Sequence, residues 1–411
     1  MKFGTDGLRG RYGQDMTEAV AFQVGSAAVR TLGPWIAVAR DTRPSGPALE
    51  AAVVRGIVAA GGFAVRWGIM PTPALSRVLS EHASFHGGVM VTASHNPAPD
   101  NGLKVVDGVG HKLGSAAQAL FERALDHHVD APGGNERDDP TAVDLYVTLM
   151  GARYPRALAG YRVVLDAGNG AAHVVGPRVL AAVGATVTVV DRGIGARIND
   201  GCGALHPEYV TPRLRGADLG IALDGDGDRV ALVTPGGRSL DGDALLWLLA
   251  RPPCVVGTVM TNLGLERALA GRGIPLERTP VGDAEVAARM VHRGAEVGGE
   301  PSGHILFHDG GPTADGLEVA IRVLAGGPLE PRLVGYAPAF QAHTKVPAKA
   351  AGRLQDADVV HAIAEIEAGG ARTVVRASGT EPVVRIMVEH AEPPVARAGL
   401  DRLRSLLETV L

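Results

Sequence analysis

A pattern of helix end, glycine and entering strand occurs three times in this 411-residue chain and restricts the folds open to it. The three copies are residues 59–65, 181–187 and 269–276. In each copy, residues typical of a helix end lead to a glycine that suits a helix cap, and an apolar run follows. Strands that alternate with helices favour mainly parallel sheets. The pattern therefore predicts three related α/β domains.

The segments around these copies indicate where the domains end. The polar run 130–140 predicts a flexible loop before a linking helix, and residues 328–338 predict a linker. Beyond that linker, a predicted helix at 356–367 and two predicted strands are typical of an α+β domain. We therefore expect three α/β domains with mainly parallel mixed sheets and a C-terminal α+β domain, arranged around a central cleft. The expected boundaries are 1–155, 156–246, 247–335 and 336–411.

Three aspartates alternate with glycines directly after a predicted buried strand at residues 219–223. In an extended segment, alternate side chains share one face, so these carboxylates should converge. The intervening glycines let the backbone bend tightly around the group that neutralises the charge. A hard divalent cation is the obvious candidate for that group. The predicted ligands are Asp224, Asp226 and Asp228.

Two other interpretations of this acidic segment are a solvated turn and a calcium loop of the EF-hand type. The EF-hand loop requires glycine at its sixth position and glutamate at its twelfth, where this chain has Arg229 and Pro235. An arginine beside three aspartates suits a site where a cation and a guanidinium hold the same phosphoryl group. The segment therefore favours a metal site that also binds phosphate.

A second polar segment follows another predicted buried strand, at residues 88–91. It contains Ser94, His95 and, further along, Lys104. Ligands of open α/β sheets bind beyond the carboxyl ends of the strands, so Ser94 is placed as a nucleophile or phosphate carrier would be. The alternative is a purely structural turn before Pro97, and the segment taken alone favours that alternative.

A third segment, near the C-terminus, has the pattern strand, glycine-centred loop, strand. Residues 373–376 lead into the loop, and residues 383–388 follow it. Backbone amides and hydroxyls of such a loop can bind an anion while flanking arginines supply positive charge. A plain hairpin with surface arginines is the alternative. The predicted phosphate-binding residues are Arg376, Ser378, Gly379, Thr380 and Arg385.

Further motifs accompany these three segments along the chain. They are residues 3–10 (FGTDGLRG), 71–73 (PTP), 199–208 (NDGCGALHPE), 278–283 (RTPVGD) and 299–304 (GEPSGH). Several independent motifs in one order are far more specific than any single motif. On these motifs the chain resembles the α-D-phosphohexomutases, and among them the phosphoglucosamine mutase subfamily.

The resemblance implies a phosphoryl-transfer enzyme that carries a phosphate on Ser94. Mg²⁺ would be held by the three aspartates and by a phosphoryl oxygen of that phosphoserine. Arg229 would share the charge of the migrating group, and Lys104 or His304 would accept a proton from the attacking hydroxyl. The expected reaction interconverts glucosamine 6-phosphate and glucosamine 1-phosphate through a hexosamine 1,6-bisphosphate, and supplies UDP-N-acetylglucosamine synthesis. Other positions that the family places around the phosphoserine correspond to Thr5, Arg9 and His95.

The same resemblance implies how the sugar is bound. The substrate phosphate would bind the C-terminal loop, and the bisphosphate would turn end for end before it returns a phosphoryl group to Ser94. Glu300 and Ser302 would hydrogen-bond sugar hydroxyls in both orientations. Asp283 is typical of glucosamine-type members, whereas phosphomannomutases tend to carry histidine in that loop. We expect a phosphorylated amino sugar as substrate and, by the resemblance, a homodimer.

Three segments depart from the subfamily pattern. Pro301 replaces the usual glutamine of the sugar loop, Ala-Glu at 284–285 replaces Arg-Tyr, and Ala-Leu at 204–205 replaces Ser-Thr. Pro301 leaves a phosphomannomutase or phosphoglucomutase open as the alternative. A phosphatase is disfavoured because hydrolysis gains little from retaining a second phosphate. A non-catalytic sensor would be expected to have lost Ser94 or one of the aspartates.

The composition excludes any global attraction to nucleic acid or to an anionic membrane. The net charge is −4, from 40 basic and 44 acidic residues, so affinity for phosphate must be local. No run approaches the length of a membrane-spanning helix, and the first residues show no signal pattern. The two cysteines, Cys202 and Cys254, do not suggest a disulfide framework. We therefore expect a cytoplasmic enzyme with no nucleic-acid or membrane partner.

Overall fold

The computed structural model describes residues 7–126, 131–191, 193–311, 313–378 and 382–408. The chain divides into two compact units. Unit 1 comprises Met1–Leu249 and Ser302–Arg332, and unit 2 comprises Ala250–Pro301 and Leu333–Leu411. The finer division into four domains stays a prediction.

Unit 1 begins with a six-stranded sheet and five helices. In chain order these are β1 (Leu8–Arg11), α1 (Glu18–Leu32), β2 (Trp35–Arg40), α2 (Gly46–Ala59), β3 (Phe63–Ile69), α3 (Thr72–Ser80), β4 (Gly87–Val91), β5 (Asp100–Asp107), α4 (Ser115–Leu125), β6 (Asn135–Asp138) and α5 (Thr141–Arg153). The sheet order is β1-β5-β4-β2-β3-β6, in which β4, β2, β3 and β6 run parallel and β5 and β1 antiparallel to their neighbours. The loop that carries Ser94 follows β4, near the middle of this sheet.

Helices α1 and α2 pack closely because two glycines lie where they meet. A Cβ atom on Gly25 would lie 2.0 Å from Val53 O, and one on Gly56 would lie 2.0 Å from Phe22 O. No side chain fits at such distances, so only glycine allows the two backbones to approach this closely. The pair covers an apolar core of fully buried side chains on the sheet, which makes the sheet a rigid base for the loops at its edge.

A second sheet of unit 1 has five strands. Its elements are β7 (Arg162–Asp166), α6 (Ala172–Ala182), β8 (Thr186–Val190), the short 3₁₀ helices Pro207–Tyr209 and Thr211–Arg213, β9 (Leu219–Leu223), β10 (Val230–Val233), β11 (Ser239–Leu240) and α7 (Gly242–Leu249). Strands β8, β7 and β9 are parallel, and β10 and β11 extend the sheet antiparallel. The strand predicted at 219–223 is confirmed as β9, and the acidic segment joins β9 to β10.

Unit 2 starts with an α/β segment of the same kind. It contains β12 (Val255–Thr258), α8 (Leu263–Gly271), β13 (Leu276–Thr279), α9 (Asp283–Arg293) and β14 (Val297–Gly299). Strand β12 lies between β13 and β14 and is parallel to both. The repeated helix, glycine and strand pattern is confirmed as α2 to β3, α6 to β8 and α8 to β13. In these connections Gly61, Gly184 and Gly273 adopt φ values of +78°, +101° and +70°, which explains the need for glycine.

The chain then returns to unit 1 before it completes unit 2. The returning part holds β15 (Ile305–Phe307), α10 (Gly316–Ala325) and α11 (Leu329–Arg332). The last part of unit 2 holds β16 (Phe340–Pro347), the 3₁₀ helix Ala348–Arg353, α12 (Ala357–Ala368), β17 (Arg372–Ala377), β18 (Val383–His390) and α13 (Pro393–Glu408). Strand β18 is central and antiparallel to both neighbours, so the expected C-terminal α+β fold is confirmed.

The prediction of a loop over residues 130–140 is wrong in part. Asn135–Asp138 forms β6 and pairs in parallel with β3 at the edge of the first sheet. All four side chains of β6 are exposed, so the strand is held by backbone hydrogen bonds and has no apolar alternation to reveal it. The predicted linker at 328–338 likewise contains a short helix, α11.

Within the described ranges, no helix has the length and apolar character needed to cross a membrane.

Candidate active site

The predicted carrier Ser94 and the acidic loop meet in unit 1. Ser94 Oγ donates a hydrogen bond of 2.7 Å to Asp224 Oδ2, and both side chains are buried. Ser94 lies in the loop after β4, and Asp224 lies in the loop after β9. These strands belong to two different sheets, and the two loops meet. The structure therefore brings together segments that lie 130 residues apart in the sequence.

The backbone at Ser94 has an unusual conformation. Its φ is +52°, in the left-handed region that residues with a Cβ seldom adopt. The surrounding structure holds this shape. Arg43 Nη2 and Asn199 Nδ2 donate hydrogen bonds of 2.8 and 2.9 Å to Ser94 O, and Ser94 N donates one of 2.9 Å to Thr92 Oγ1. Strain of this kind is kept only where neighbouring groups overdetermine it, and it is common at functional sites.

Arg43 organises the whole Ser94 loop, and the sequence did not reveal this role. Its side chain is fully buried and forms an ion pair of 2.9 Å with Asp41. Its remaining guanidinium hydrogens go to carbonyl oxygens of the loop, at 2.5 to 2.9 Å. These carbonyls belong to Ser94, Asn96, Pro97 and Asp100. The signal in the sequence was the polar run Asp-Thr-Arg at 41–43, directly after a buried strand.

The three aspartates converge, but for a different reason from the one predicted. Their ligand oxygens all lie within 4.8 Å of one another. The segment is a turn rather than an extended strand: Gly227 N donates a hydrogen bond of 3.1 Å to Asp224 O, and Gly227 has a φ of +74°. A turn folds the carboxylates together where strand alternation would only have aligned them on one face.

The negative charge of this loop is partly offset by the protein itself. Lys104 Nζ donates to Asp226 Oδ2 at 2.7 Å and to Asp228 Oδ2 at 2.9 Å, and all three side chains are buried. Burial, followed by the charges of Asp228 and Asp226, raises the pKa of Asp224 to about 8. Burial alone would also raise the pKa of Asp228, but Lys104, His304 and Arg229 hold that pKa well below its usual range.

The donor set fits a magnesium ion. Three buried carboxylates offer hard oxygen ligands, which Mg²⁺ prefers. Asp226 Oδ1 is buried and has no hydrogen-bond partner among the described residues, although a buried carboxylate oxygen normally has one. The raised pKa of Asp224 points the same way, because the protein alone does not supply enough positive charge to keep all three groups ionised. A divalent cation would meet both needs.

Two predicted catalytic histidines lie around this pair of loops. His304 Nδ1 is 3.8 Å from Asp228 Oδ1, and the side chain is 6% exposed. His95 Nδ1 is 3.4 Å from Ser94 Oγ. Burial, with the charges of Arg229 and Arg9 next, lowers the pKa of His95 to about 4. The His95 imidazole is therefore neutral at neutral pH. Thr5, which the resemblance also placed here, lies outside the described residues.

Unit 2 brings two predicted sugar-binding residues together. Glu300 Oε1 accepts a hydrogen bond of 3.2 Å from Gly282 N, the residue before Asp283 at the start of α9. The glycine has a φ of +140°, in the region that favours glycine. Ser302 belongs to unit 1, where its Oγ is buried without a hydrogen-bond partner in the described ranges.

The predicted phosphate loop connects β17 and β18. Arg376 and Arg385 are register partners on these two strands, and Arg385 Nε is 3.4 Å from Ser378 Oγ. Strand β16 adds Lys345, which is the register partner of Arg385 on the other side. The sequence did not reveal Lys345, because the pairing of β16 with β18 joins residues about 40 positions apart. Gly379 and Thr380 lie outside the described residues.

Models of known protein families match three parts of the chain. They are phosphoglucomutase/phosphomannomutase alpha/beta/alpha domain I at residues 1–129, alpha/beta/alpha domain III at 241–326 and the C-terminal domain at 339–405. Among curated relatives, the phosphoglucosamine mutase of Maricaulis maris is 41% identical over 99% of this chain and 98% of its own length. That of Frankia casuarinae is 39% identical over 100% of this chain and 98% of its own length.

Solved structures share the fold over nearly the whole chain. A phosphoglucomutase/phosphomannomutase family protein of Burkholderia thailandensis has a TM-score of 0.80 and 27% identity over 98% of this chain and 97% of its own. N-acetylphosphoglucosamine mutase of Aspergillus fumigatus, in complex with GlcNAc-6P and magnesium, has a TM-score of 0.70 and 19% identity over 100% and 96%.

Proposed function

Because the chain belongs to the phosphoglucosamine mutases of the α-D-phosphohexomutase superfamily, we propose that it interconverts glucosamine 6-phosphate and glucosamine 1-phosphate through a phosphoserine at Ser94. The observation that carries the residue assignment is the contact between Ser94 Oγ and Asp224 Oδ2 at 2.7 Å. A phosphoryl group on that oxygen would lie beside the acidic loop. The shape of the Ser94 loop, held by Arg43 and Asn199, presents the hydroxyl there before any ligand binds.

The transfer has two halves. In the first, the 1-hydroxyl oxygen of the substrate bonds to the phosphorus on Ser94, and the bond from phosphorus to Ser94 Oγ breaks. The proton of the attacking hydroxyl goes to His304, because Lys104 already carries its proton in the ion pairs with Asp226 and Asp228. The product of this half is a hexosamine 1,6-bisphosphate. In the second half, Ser94 Oγ bonds to the phosphorus of the 6-phosphoryl group and the bond from that phosphorus to the 6-oxygen breaks. The proton taken up in the first half passes to the 6-oxygen, and glucosamine 1-phosphate leaves.

Charged side chains of unit 1 stabilise the group in transit. Arg229 carries a charge beside Asp224 and His95, and Arg9 adds another near His95. When bound by the three aspartates and a phosphoryl oxygen, Mg²⁺ would offset the charge that develops on the migrating group. The neutral His95 imidazole accepts or donates a hydrogen bond at Ser94 without adding a third positive charge.

Unit 2 is proposed to recognise the substrate. Arg376, Arg385 and Ser378, together with Gly379 and Thr380, would bind the phosphate that is not reacting. Glu300, with Asp283 near it and Ser302 in unit 1, would bind the sugar hydroxyls. Because the bisphosphate must be accepted in two orientations, these contacts serve either end of the same ligand.

The experiment follows each hexose 1-phosphate by ³¹P NMR after incubation of the enzyme with Mg²⁺, a trace of the matching 1,6-bisphosphate and one 6-phosphate. Glucosamine, glucose and mannose 6-phosphate are compared, with Ser94→Ala as the control. We expect glucosamine 1-phosphate to dominate and to disappear in the control. Free phosphate as the main product would contradict the mutase reaction and show that the protein is a phosphatase.

Pro301 is the observation that keeps a phosphomannomutase or phosphoglucomutase as the second candidate. It stands beside Glu300 where the subfamily usually has glutamine, and it has neither a backbone donor nor a polar side chain. Equal or greater turnover of glucose or mannose 6-phosphate would favour this candidate. The variant Pro301→Gln then tests the cause, because it should shift the ratio of kcat/KM values toward glucosamine 6-phosphate.

Three further properties stay proposals. The segments 1–155, 156–246, 247–335 and 336–411 would act as the phosphoserine, metal, sugar and phosphate domains. A homodimer would give about twice the monomer mass by light scattering. A cytoplasmic location agrees with two buried cysteines, Cys202 and Cys254, that are not joined in a disulfide, and fractionation of cells would test it.

A further inference from the structure

Two helices of unit 1 begin against the acidic loop. Helix α3 starts at Thr72, whose backbone N donates a hydrogen bond of 2.9 Å to Asp226 O. Helix α10 starts at Gly316, whose backbone N donates one of 3.0 Å to Gly227 O. The first amides of a helix have no partner within the helix, so each helix start has a donor to offer. Two consecutive carbonyls of the acidic loop therefore accept hydrogen bonds from the first residues of two different helices.

Thr72 also contacts the carboxylate of Asp226. Its Oγ1 donates a hydrogen bond to Asp226 Oδ2, the oxygen that also accepts from Lys104 at 2.7 Å. The other oxygen, Asp226 Oδ1, is buried and has no hydrogen-bond partner in the described part of the chain. Thr72 thus occupies one side of the carboxylate and leaves the opposite oxygen for a cation. Such outer-sphere hydrogen bonds orient metal ligands.

The position of Thr72 is fixed in turn by Arg77, five residues further along α3. Arg77 Nη2 donates to Glu318 Oε2, and its Nε lies 3.9 Å from Asp315 Oδ2. Both carboxylates belong to the first turn or cap of α10, and all three residues are at most 8% exposed. This ion cluster therefore ties α3 to α10, the two helices whose starts hold the acidic loop.

The Asp315 carboxylate of the cluster accepts hydrogen bonds at both of its oxygens. Asp315 Oδ1 caps α10 by accepting from Leu317 N at 3.1 Å and Glu318 N at 3.2 Å, and Oδ2 accepts from Tyr146 OH at 2.8 Å. There is no room for adjustment at the start of α10, because a Cβ on Gly316 would lie 2.6 Å from Leu223 Cδ2. A shift of α3 relative to α10 would therefore have to distort the acidic loop.

From these contacts we propose that Thr72 and Arg77 are positioning residues for the metal site. Thr72 orients Asp226 directly, and Arg77 acts through the placement of α3. The inference rests on the proposed metal site, and neither side chain touches the substrate in this mechanism. Loss of either contact should lower the affinity of the acidic loop for the cation. The proposed binding of the sugar phosphate in unit 2 should stay unchanged.

The test measures Mn²⁺ binding to the dephosphorylated enzyme by electron paramagnetic resonance, independently of turnover. Thr72→Val should weaken Mn²⁺ binding by about 10- to 100-fold. Thr72→Ser keeps the hydroxyl and should bind Mn²⁺ as the wild type does. Thr31→Val is the matched control, because it removes a threonine hydroxyl bonded only to Ala27 O within α1. Unchanged binding in Thr72→Val would overturn the role of Thr72.

Steady-state kinetics supply the second measurement. In Thr72→Val the Mg²⁺ concentration for half-maximal activity should rise by the same factor, while KM for the sugar phosphate at saturating Mg²⁺ stays unchanged. A rise in KM without a change in the Mg²⁺ requirement would contradict the proposal. Asp226→Asn separates this outcome from a failure of the proposed function: if it also binds Mn²⁺ normally, the metal site itself is wrong.

A double-mutant cycle tests Arg77. If Arg77 acts through Thr72, the loss of Mn²⁺ affinity in Arg77→Met combined with Thr72→Val should be smaller than the product of the two single losses. Independent, multiplicative losses would remove Arg77 from the positioning role. Arg77→Lys keeps the charge and serves in the same cycle if Arg77→Met does not fold, which thermal unfolding would show.

Discussion

The Ser94 region of unit 1 and the predicted phosphate loop of unit 2 are both proposed to serve phosphate chemistry, yet they are built in opposite ways. Ser94 and Asp224 are each 1% exposed, and their loops are held by hydrogen bonds within the protein. Arg376 and Arg385 are only half-buried. The first region is assembled before a ligand arrives, whereas the arginines of the second are partly open to solvent.

The two regions also differ in how their charged side chains are arranged. In unit 1 the lysine Lys104 contacts two carboxylates, so opposite charges are paired. In unit 2 the cross-strand row of Lys345, Arg385 and Arg376 places three positive charges opposite one another. Like charges at directly opposite positions destabilise a sheet. Such a row is understandable where an anion is bound and offsets the repulsion.

Removal of one hydroxyl from each region gives the largest expected contrast. Ser94→Ala should lower kcat by about 10³-fold or more, because the phosphoryl carrier is lost. Ser378→Ala removes one hydrogen-bond donor to a bound phosphate and should raise KM by up to about tenfold with little change in kcat. Steady-state assays of glucosamine 6-phosphate turnover measure both. Similar losses of kcat in the two variants would mean that Ser94 binds substrate rather than carrying phosphate.

Particular residues show how far the sequence predicted these two regions. The apolar run at Leu219–Leu223 predicted β9 at its observed bounds, because a strand buried on both faces is a continuous run of apolar residues. The acidic triad and Ser94 were found from local motifs. By contrast, the bonds of Arg43 reach carbonyls more than 50 residues away, and carbonyls carry no sequence signature. Lys345 was missed for the same reason, since register between strands is a tertiary property.

Arginine removal should affect stability in one region and barely in the other. Arg43→Met leaves the Asp41 carboxylate buried without its ion pair and should lower the free energy of unfolding by about 3–5 kcal/mol. Arg376→Met removes a half-buried charge that lies opposite Arg385, so its effect should stay within about 0.5 kcal/mol. Urea unfolding monitored by circular dichroism compares them. An equal loss in both variants would contradict the contrast, and Arg43→Lys replaces Arg43→Met if the latter does not fold.

The neutral state of His95 should make the Ser94 region sensitive to acid. The folded pKa is about 4 against an ordinary value of 6.5, so the unfolded chain takes up a proton first as the pH falls. The contribution of His95 to stability is therefore present above pH 6.5 and is lost as the pH falls toward 4. Because the ring is partly exposed, we expect a loss of about 1–2 kcal/mol.

The matched comparison for His95 is His95→Gln, which cannot titrate. Unfolding free energies of the wild type and the variant are measured at pH 7 and at pH 4.5. The difference between the two proteins should shift against the wild type at the lower pH. No change in that difference would show that the imidazole is not kept neutral in the folded protein.

Lys345 offers the smallest and most direct test of the cross-strand charge row in unit 2. Without ligand, Lys345→Gln removes an exposed charge opposite Arg385, so the free energy of unfolding should change by no more than about 0.5 kcal/mol. With ligand, it removes one charge from the phosphate site and should raise KM for the sugar phosphate about threefold to tenfold at low salt. The effect should shrink as ionic strength rises, because Lys345 is exposed.

Lys349→Gln is the control for this prediction, because Lys349 is an exposed lysine outside the row, beyond the end of β16. A variant with lowered stability and unchanged KM would mean that the row is structural and that phosphate binds elsewhere.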